Sequence, residues 1–290
     1  MSSPAGRTAT FRYEGHKLSY ASYGEGPRTT VLLHGLLLSK RMHGPLADEL
    51  AAHGNRVVTL DLLGHGRSDR PVEMWNYAMP YFAKQVVALL DHLEVDEAVV
   101  GGTSLGANVT LEVAAAAPDR LRGMIVEMPV LDNALLGCAL AFTPMMVGMT
   151  FGEGMWRLGA RAARLVPNRR LPFLADLGIE TLQQDPAPSA AVLQGLFFGR
   201  TAPPREERRT FTAPTLVIGH RRDPVHPFSD SGMLVDELPE ARLIEADHIL
   251  EMRVAPERLT REIAGFVGNC WKPRAAARPA RRRSAARGRA

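Results

Sequence analysis

The chain has 290 residues, of which 46% are hydrophobic and 23% are charged, with 26 Gly, 21 Pro and 2 Cys. This composition is typical of one large or two small globular domains and excludes a disordered or collagen-like chain. Cys138 and Cys270 are far apart, and no Cys/His cluster has zinc-site spacing, so we expect neither a disulfide scaffold nor a structural metal. The first residues lack an apolar signal core, which predicts a reduced, cytoplasmic protein.

The formal net charge of +4 is concentrated at one end of the chain. Residues 272–290 contain eight Lys or Arg and no acid, so the rest of the chain carries +4 − 8 = −4. We expect this basic tail to be disordered, because it cannot bury enough apolar surface to offset its ordering entropy. Weak binding to polyanions or anionic lipid is the alternative, and no specific nucleic-acid partner is expected.

The predicted elements begin with a β-hairpin, since residues 10–14 and 17–23 flank Gly15 and His16. Short apolar runs follow at residues 30–33, 56–60, 98–100, 124–128, 215–218 and 242–244. Helical patterns separate most of them, at residues 45–53, 80–93, 105–117, 230–238 and 256–271. Apolar strands divided by amphipathic helices predict a parallel sheet with helices on both faces.

One interval, between Met128 and Thr215, contains no convincing strand. It carries only helical patches, at residues 134–149, 154–165 and 189–198. We therefore predict a helical cap inserted into an α/β core. The expected units are the first part of the core at 1–129, the cap at 130–210, the second part of the core at 211–271, and the basic tail at 272–290.

The start of this cap is unusually apolar, because no charged residue occurs from Ala134 to Gly152. A helix of these 19 residues would be long enough to cross a membrane. Pro144, two threonines and three glycines argue against a straight spanning helix, so we expect no transmembrane span. A Met-rich lid over an apolar pocket is favoured, and peripheral lipid contact is the alternative.

Residues 102–106 form a Gly-Thr-Ser-Leu-Gly sequence directly after a predicted strand and at the start of a predicted helix. A serine on such a sharp turn adopts a strained backbone, and the two glycines leave room for neighbouring chain. Its hydroxyl would lie at the carboxyl edge of the sheet, where α/β proteins bind ligands. Ser104 is therefore the candidate nucleophile, against the simpler interpretation of a serine in a Gly-rich turn.

A serine nucleophile needs a base that is oriented by an acid. Proteins with this motif place the partners in the order Ser, Asp or Glu, His, after later strands. Asp223 follows the predicted strand at 215–218, and His248 follows the one at 242–244. We therefore predict that Ser104, Asp223 and His248 converge, with His248 as the base and Asp223 as the orienting acid.

Other residues compete for these roles. His226 is the alternative base, and Glu127 and Asp132, near the end of a predicted strand, are the alternative acids. Acyl transfer also needs donors for the developing oxyanion. The backbone N–H groups of Leu36 and Leu105 are the candidates for this oxyanion hole.

These segments together resemble the α/β-hydrolase superfamily, in its capped branch of esterases, lipases and C–C hydrolases. The matching residues are His34-Gly35, residues 61–69, residues 102–106, Asp223 and His248. The resemblance implies a mostly parallel eight-stranded sheet, helices on both faces and an inserted helical cap. It implies no metal or organic cofactor. Haloalkane dehalogenases and epoxide hydrolases carry Asp where this chain has Ser104, which favours ester hydrolysis.

The expected activity is hydrolysis of a carboxylic ester of a small apolar substrate through an acyl-enzyme on Ser104. Leu37, Met145 and Met149 are expected to line the substrate pocket. One alternative is C–C bond or lactone hydrolysis with the same triad, and another is a hydrolase-like ligand receptor with negligible turnover. The sequence leaves open whether caps pair into a homodimer.

Overall fold

A computed structural model of the protein describes residues 6–164 and 173–273. The strands in this part of the chain are β1 Arg7–Tyr13, β2 His16–Tyr23, β3 Thr29–Leu33, β4 Arg56–Asp61, β5 Ala98–Thr103, β6 Leu121–Glu127, β7 Thr215–His220 and β8 Ala241–Ala246. Within the described ranges they form one eight-stranded sheet in the order β1-β2-β4-β3-β5-β6-β7-β8. The first two pairings, β1 with β2 and β2 with β4, are antiparallel, and the others are parallel. The prediction of a mostly parallel eight-stranded sheet is confirmed.

Most helices coincide with the predicted helical patterns, whereas Phe173–Leu182, Arg205–Arg208 and Glu251–Val254 were not predicted. The helices are α1 Gly44–Ala52, α2 Met79–His92, α3 Leu105–Ala116, α4 Leu135–Phe151, α5 Glu153–Arg164, α6 Phe173–Leu182, α7 Pro186–Phe198, α8 Arg205–Arg208, α9 Phe228–Glu237, α10 Glu251–Val254 and α11 Glu257–Cys270. Most of the predicted basic tail, residues 274–290, lies outside the described residues, as does the end of the helical patch predicted at 154–165.

Alternate residues of the central strands pack against helices on opposite faces of the sheet. Val100 and Val126 belong to a buried cluster that includes side chains of α2, α3 and α9. Val99 and Ile125 belong to a second cluster with side chains of α1 and α11. Because successive side chains of a strand point to opposite faces, two covered faces require the continuous apolar runs seen in the sequence.

In the part of the chain that the structure describes, five helices, α4 to α8, lie between β6 and β7. Part of this segment packs over the loop that follows β3, in a third cluster built from Leu37, Met149, Ala190 and Leu193. Within residues 6–164 and 173–273, no single helix is long and apolar enough to cross a membrane. The bent pair formed by α4 and residues 153–163 of α5, at 98° to each other, passes that test by length and composition.

Candidate active site

Ser104 occupies the turn that joins β5 to α3, where its backbone has φ 54° and ψ −108°. This left-handed φ is uncommon for a residue with a side chain, and it is the strain expected of a nucleophile on a strand-to-helix turn. The flanking glycines are required by close packing. A Cβ atom on Gly102 would lie 2.6 Å from the carbonyl oxygen of Leu33, and one on Gly106 would overlap that same oxygen.

A hydrogen-bonded chain of three side chains begins at this serine. The Ser104 Oγ atom lies 2.8 Å from the His226 Nε2 atom, and the His226 Nδ1 atom lies 2.8 Å from the Asp223 Oδ2 atom. The carboxylate accepts a hydrogen bond from Nδ1–H, which leaves Nε2 free to accept a hydrogen bond, and then the proton, from the serine hydroxyl. A hydroxyl, an imidazole and a carboxylate in this order form the arrangement that activates a serine for attack on a carbonyl.

Asp223 is held by its own loop as well as by the imidazole. Its Oδ1 atom accepts the backbone N–H groups of Val225, at 2.8 Å, and His226, at 2.9 Å. Burial raises the pKa of the Asp223 carboxyl, but the hydrogen bonds from His226 and Val225 outweigh it, so the pKa lies below its ordinary value. The group is therefore a carboxylate at neutral pH, as a residue that stabilises an imidazolium must be.

The expectation that His248 is the base is not met by this geometry. The His248 side chain is exposed, and its Nδ1 atom accepts the backbone N–H of Leu250 at 3.3 Å. The loop after β8 is fixed by the His248 carbonyl oxygen, which accepts hydrogen bonds from His220 Nδ1 and from the backbone N–H of Glu251. The His248 imidazole therefore faces solvent. The imidazole beside Ser104 is that of His226, the alternative base.

The alternative acids lie apart from this chain of side chains. Glu127, at the end of β6, accepts hydrogen bonds from Thr103 and, at 2.9 Å, from Arg253. Burial raises the pKa of the Glu127 carboxyl, but the Arg253 charge, the nearby His220 and the hydrogen bond from Thr103 lower it well below its ordinary value. Asp132 is exposed. The structure therefore favours Asp223 as the acid.

The two residues whose backbone N–H groups are the candidate oxyanion donors share a cavity with the nucleophile. Leu36 and Leu105 line the same cavity as Ser104. Leu105 is the first residue of α3, so its N–H has no intrahelical acceptor. Leu36 follows β3 in the loop where the Leu38 N–H bonds to the Gly35 carbonyl oxygen. Both backbone groups are thus available to a ligand, and the helix N-terminus adds a favourable dipole for negative charge.

An apolar cavity of about 270 Å³ opens beside Ser104, beneath the helices between β6 and β7. Besides the residues already named, it is lined by Met79, Asn108, Val130, Leu135, Cys138, Ala139, Phe142, Leu193, Leu196, Phe197 and Thr201. A second cavity, of about 500 Å³, also reaches Ser104 and is lined by Asp223, His226, Leu250 and Arg253 among others. Two spaces therefore meet at the nucleophile.

The expected pocket residues Leu37, Met145 and Met149 do not line either of these cavities. Leu37 and Met149 are buried against Ala190 and Leu193, and Met145 packs against the same cluster. These side chains instead attach α4 to the core. The neighbouring residues Leu36 and Phe142 do line the cavity, and the sequence pattern gave no pocket role to Phe142.

Comparison with known proteins agrees with the fold. Residues 30–144 match the family model described as the alpha/beta hydrolase fold. The chain is 27% identical to the AB hydrolase superfamily protein YisY of Bacillus subtilis, over 75% of this chain and 82% of that protein. It is 26% identical to haloalkane dehalogenase 1 of Mycobacterium tuberculosis, over 76% and 78% of the two chains.

Among solved structures, the chain is similar to Est816, described as an N-acyl homoserine lactone degrading enzyme. The TM-score is 0.71 at 26% identity, over 89% of this chain and all of that one. The sheet, the turn at Ser104 and these similarities are those of the α/β-hydrolase fold. A hydrolase is the enzyme class that this fold and these similarities support.

Proposed function

We propose that the protein is a serine hydrolase that cleaves carboxylic esters with an apolar acyl group. One observation carries the proposal: the Ser104 hydroxyl, the His226 imidazole and the Asp223 carboxylate are joined by two contacts of 2.8 Å at the mouth of an apolar cavity. A serine activated in this way attacks carbonyl carbon. A haloalkane substrate is disfavoured, because haloalkane dehalogenases are expected to carry an aspartate nucleophile where this chain has Ser104.

In the first half of the reaction, Ser104 Oγ attacks the ester carbonyl carbon as His226 Nε2 takes its proton. The negative charge that develops on the carbonyl oxygen is stabilised by the N–H groups of Leu36 and Leu105, each worth about 3 to 4 kcal/mol in comparable sites. Asp223 stabilises the imidazolium. His226 then gives the proton to the leaving alkoxide oxygen, the ester C–O bond breaks, and an acyl-enzyme remains on Ser104.

In the second half, a water molecule replaces the alcohol. His226 takes a proton from this water as its oxygen attacks the acyl carbon, and returns the proton to Ser104 Oγ as the acid leaves. The cavity of about 270 Å³ suits the acyl chain, because Phe142, Leu193 and Leu196 give it an apolar wall. The second cavity is lined by His226, so it suits the leaving alcohol, which receives its proton from that residue.

Lactone hydrolysis is the second candidate. A lactone is a cyclic ester, so the same attack, oxyanion and proton transfer apply, and the alcohol stays attached to the acyl group. The similarity to Est816, described as a lactone-degrading enzyme, favours this candidate over C–C bond cleavage. A ligand receptor with negligible turnover is disfavoured by the hydrogen-bonded order of Ser104, His226 and Asp223.

The test is labelling with a fluorophosphonate, followed by peptide mapping and ester and lactone assays. We expect one adduct, on Ser104, and loss of both labelling and turnover in Ser104→Ala. Ser104→Ala should keep the wild-type melting temperature, because the side chain is small and only partly buried. An adduct on another residue, or undiminished turnover in Ser104→Ala, would falsify the proposal.

A further inference from the structure

The outward face of α4 is apolar along its whole length. Its exposed large side chains are Leu136, Leu140, Val147 and Phe151, with exposed fractions of 71%, 70%, 45% and 85%. Their spacing of four, seven and four residues places them on one side of the helix. A helix on the surface of a soluble protein normally presents charged or polar residues on that side. From Leu135 to Phe151 the helix has no charged residue.

The next helix extends this apolar surface and adds positive charge. Met155 and Leu158 of α5 are 82% and 68% exposed. Arg157 and Arg161, also exposed, lie next to them on the same helix. We call the exposed side chains of α4 and α5 together the cap face. It combines large apolar groups with arginines, which is the pattern of helices that lie in the surface plane of a membrane.

The sequence that contains α5 is basic, since residues 153–170 contain five Arg and one acid, Glu153. Elsewhere in the sequence, residues 272–290 contain eight Lys or Arg and no acid. Apolar side chains that enter a bilayer and cations that meet its headgroups favour binding to anionic lipid, and a basic segment supplies a second, electrostatic contribution. A polar partner surface would not bury the apolar side chains of the cap face, and a cationic one would repel its arginines.

A second copy of the chain suits the cap face less well. In a symmetric dimer the same patch contacts itself, which would bring Arg157 and Arg161 of both copies to one interface. Like charges at an interface oppose association unless acids pair with them. Glu153, the one acid of α5, pairs with Arg157 of the same helix, so this helix offers no second acid for Arg161 of either copy. A surface that is itself anionic removes this difficulty.

We propose that the cap face docks on anionic lipid bilayers, with α4 and α5 lying in the interface rather than crossing it. The inner side of α4 supports a functional connection, because Leu135, Cys138 and Phe142 line the cavity beside Ser104. Docking would therefore place the active-site cavity directly under the membrane surface. This last step rests on the proposed esterase function, whereas docking itself does not.

Vesicle sedimentation with the full-length protein tests the docking. We expect it to bind vesicles of phosphatidylcholine with about a quarter phosphatidylglycerol at least about tenfold more tightly than phosphatidylcholine alone. Leu140→Glu and Phe151→Glu should each weaken this binding by about tenfold, because a charge then enters the apolar layer. Val72→Glu is the matched control, since Val72 is 59% exposed outside the cap face, and it should bind as the wild type does.

Two further variants separate the possible causes of binding. Ser104→Ala should bind vesicles like the wild type, so failure of the esterase proposal would not remove docking. A chain ending at Trp271 should bind more weakly but should still respond to Leu140→Glu. Leu140→Glu, Phe151→Glu, Val72→Glu and the chain ending at Trp271 should keep their turnover of a soluble short-chain ester, which shows that they fold. Ser104→Ala has no turnover, so its folding is checked by its melting temperature.

The proposal is overturned if Leu140→Glu and Phe151→Glu bind vesicles as tightly as the wild type. It is also overturned if the chain ending at Trp271 does not bind at all, because the basic tail alone would then account for binding. Light scattering gives a third decisive result. A wild-type dimer that becomes a monomer in Leu140→Glu, with no vesicle binding by either protein, would assign the cap face to a second copy of the chain.

Discussion

His226 follows Asp223 by three residues, and the loop between β7 and α9 therefore supplies both the imidazole and the carboxylate that orients it. The two side chains are in contact at 2.8 Å, and the backbone N–H of His226 donates to the other carboxylate oxygen at 2.9 Å. Local contacts alone thus fix the ring relative to the acid. Only the distance to Ser104 depends on how this loop sits against the turn after β5.

The two histidines give the most direct prediction. His226→Ala should lower kcat/KM for a p-nitrophenyl ester by about a thousandfold or more, because the serine loses its base. His248→Ala should stay within about threefold of the wild type, since an exposed surface side chain seldom affects the rest of the molecule.

Thermal unfolding of both variants provides the control for this comparison, because neither ring is needed to fill a core. The reverse ranking, with His248→Ala inactive and His226→Ala active, would contradict the assignment of His226. It would mean that the loop after β8 moves its imidazole to Ser104 in the working enzyme.

The nucleophile was predictable from sequence because its position is a backbone constraint. A sharp turn between β5 and α3 needs glycines at 102 and 106, and these can be read directly. The base was not predictable in this way. Whether the ring of His226 or that of His248 reaches Ser104 depends on the path of two loops, and a sequence pattern does not specify a loop path.

The pocket predictions failed for a related reason. Met145 and Met149 continue the same helical stripe as the cavity residue Phe142, but farther along α4. There the side chains of the helix pack against Leu37 and Leu193 in a buried cluster. Helical periodicity identified the correct face of α4, whereas the length of the cavity depends on packing across elements that are distant in sequence.

Packing at the nucleophile turn predicts a large stability difference between two Gly→Ala variants. Gly106→Ala should destabilise the fold by more than about 2 kcal/mol, because the new Cβ atom would overlap the Leu33 carbonyl oxygen of a buried central strand. Gly265→Ala is the control, because a Cβ at this position of α11 meets nothing within 4 Å. It should stabilise the fold by about 0.5 to 1 kcal/mol through helix propensity. Urea unfolding measures both, and equal effects would contradict this packing.

The ion pair between Arg253 and Glu127 predicts a non-additive double mutant. Their side chains are 9% and 5% exposed, so removal of one partner leaves a charge in a largely dry site. Arg253→Met alone should cost about 3 to 5 kcal/mol of unfolding free energy. The double variant Arg253→Met with Glu127→Gln should recover at least about half of that loss, because no charge is then left unpaired.

A double-mutant cycle in urea measures this recovery. Additive losses would show that the pair contributes little beyond its packing. The cycle is read from unfolding free energies alone, because Arg253 also lines the second cavity beside Ser104 and its substitution can change activity independently.

The apolar cavity predicts how activity depends on acyl length. Each methylene that enters it should contribute about 0.8 kcal/mol, which is roughly fourfold in kcat/KM, until the cavity is full. Leu196→Trp should move the optimum to shorter chains, because Leu196 is part of the cavity wall. The measurement is a series of p-nitrophenyl esters from acetate to octanoate. A flat response in the wild type would show that the acyl chain lies elsewhere.

His43 predicts how stability depends on pH. Burial, followed by the charge of Arg253, lowers the pKa of His43 from 6.5 to about 4, and its Nε2 atom donates to the Leu33 carbonyl oxygen at 2.9 Å. The unfolded chain therefore binds a proton at this residue between these pH values, whereas the folded chain does not. Stability from His43 is fully present above pH 6.5 and is lost as pH falls toward 4, with a slope of up to about 1.4 kcal/mol per pH unit.

His43→Gln isolates this contribution, because glutamine can donate a hydrogen bond but does not titrate. The buried His34 and His65 also have lowered pKa values and act in the same direction, so the wild type should lose stability steeply below pH 6.5. The variant should be less stable at neutral pH but should show a slope smaller by up to about 1.4 kcal/mol per pH unit. Urea unfolding at several pH values from 7 to 5 gives both slopes. Parallel curves would mean that His43 takes up its proton in the folded protein as readily as in the unfolded chain.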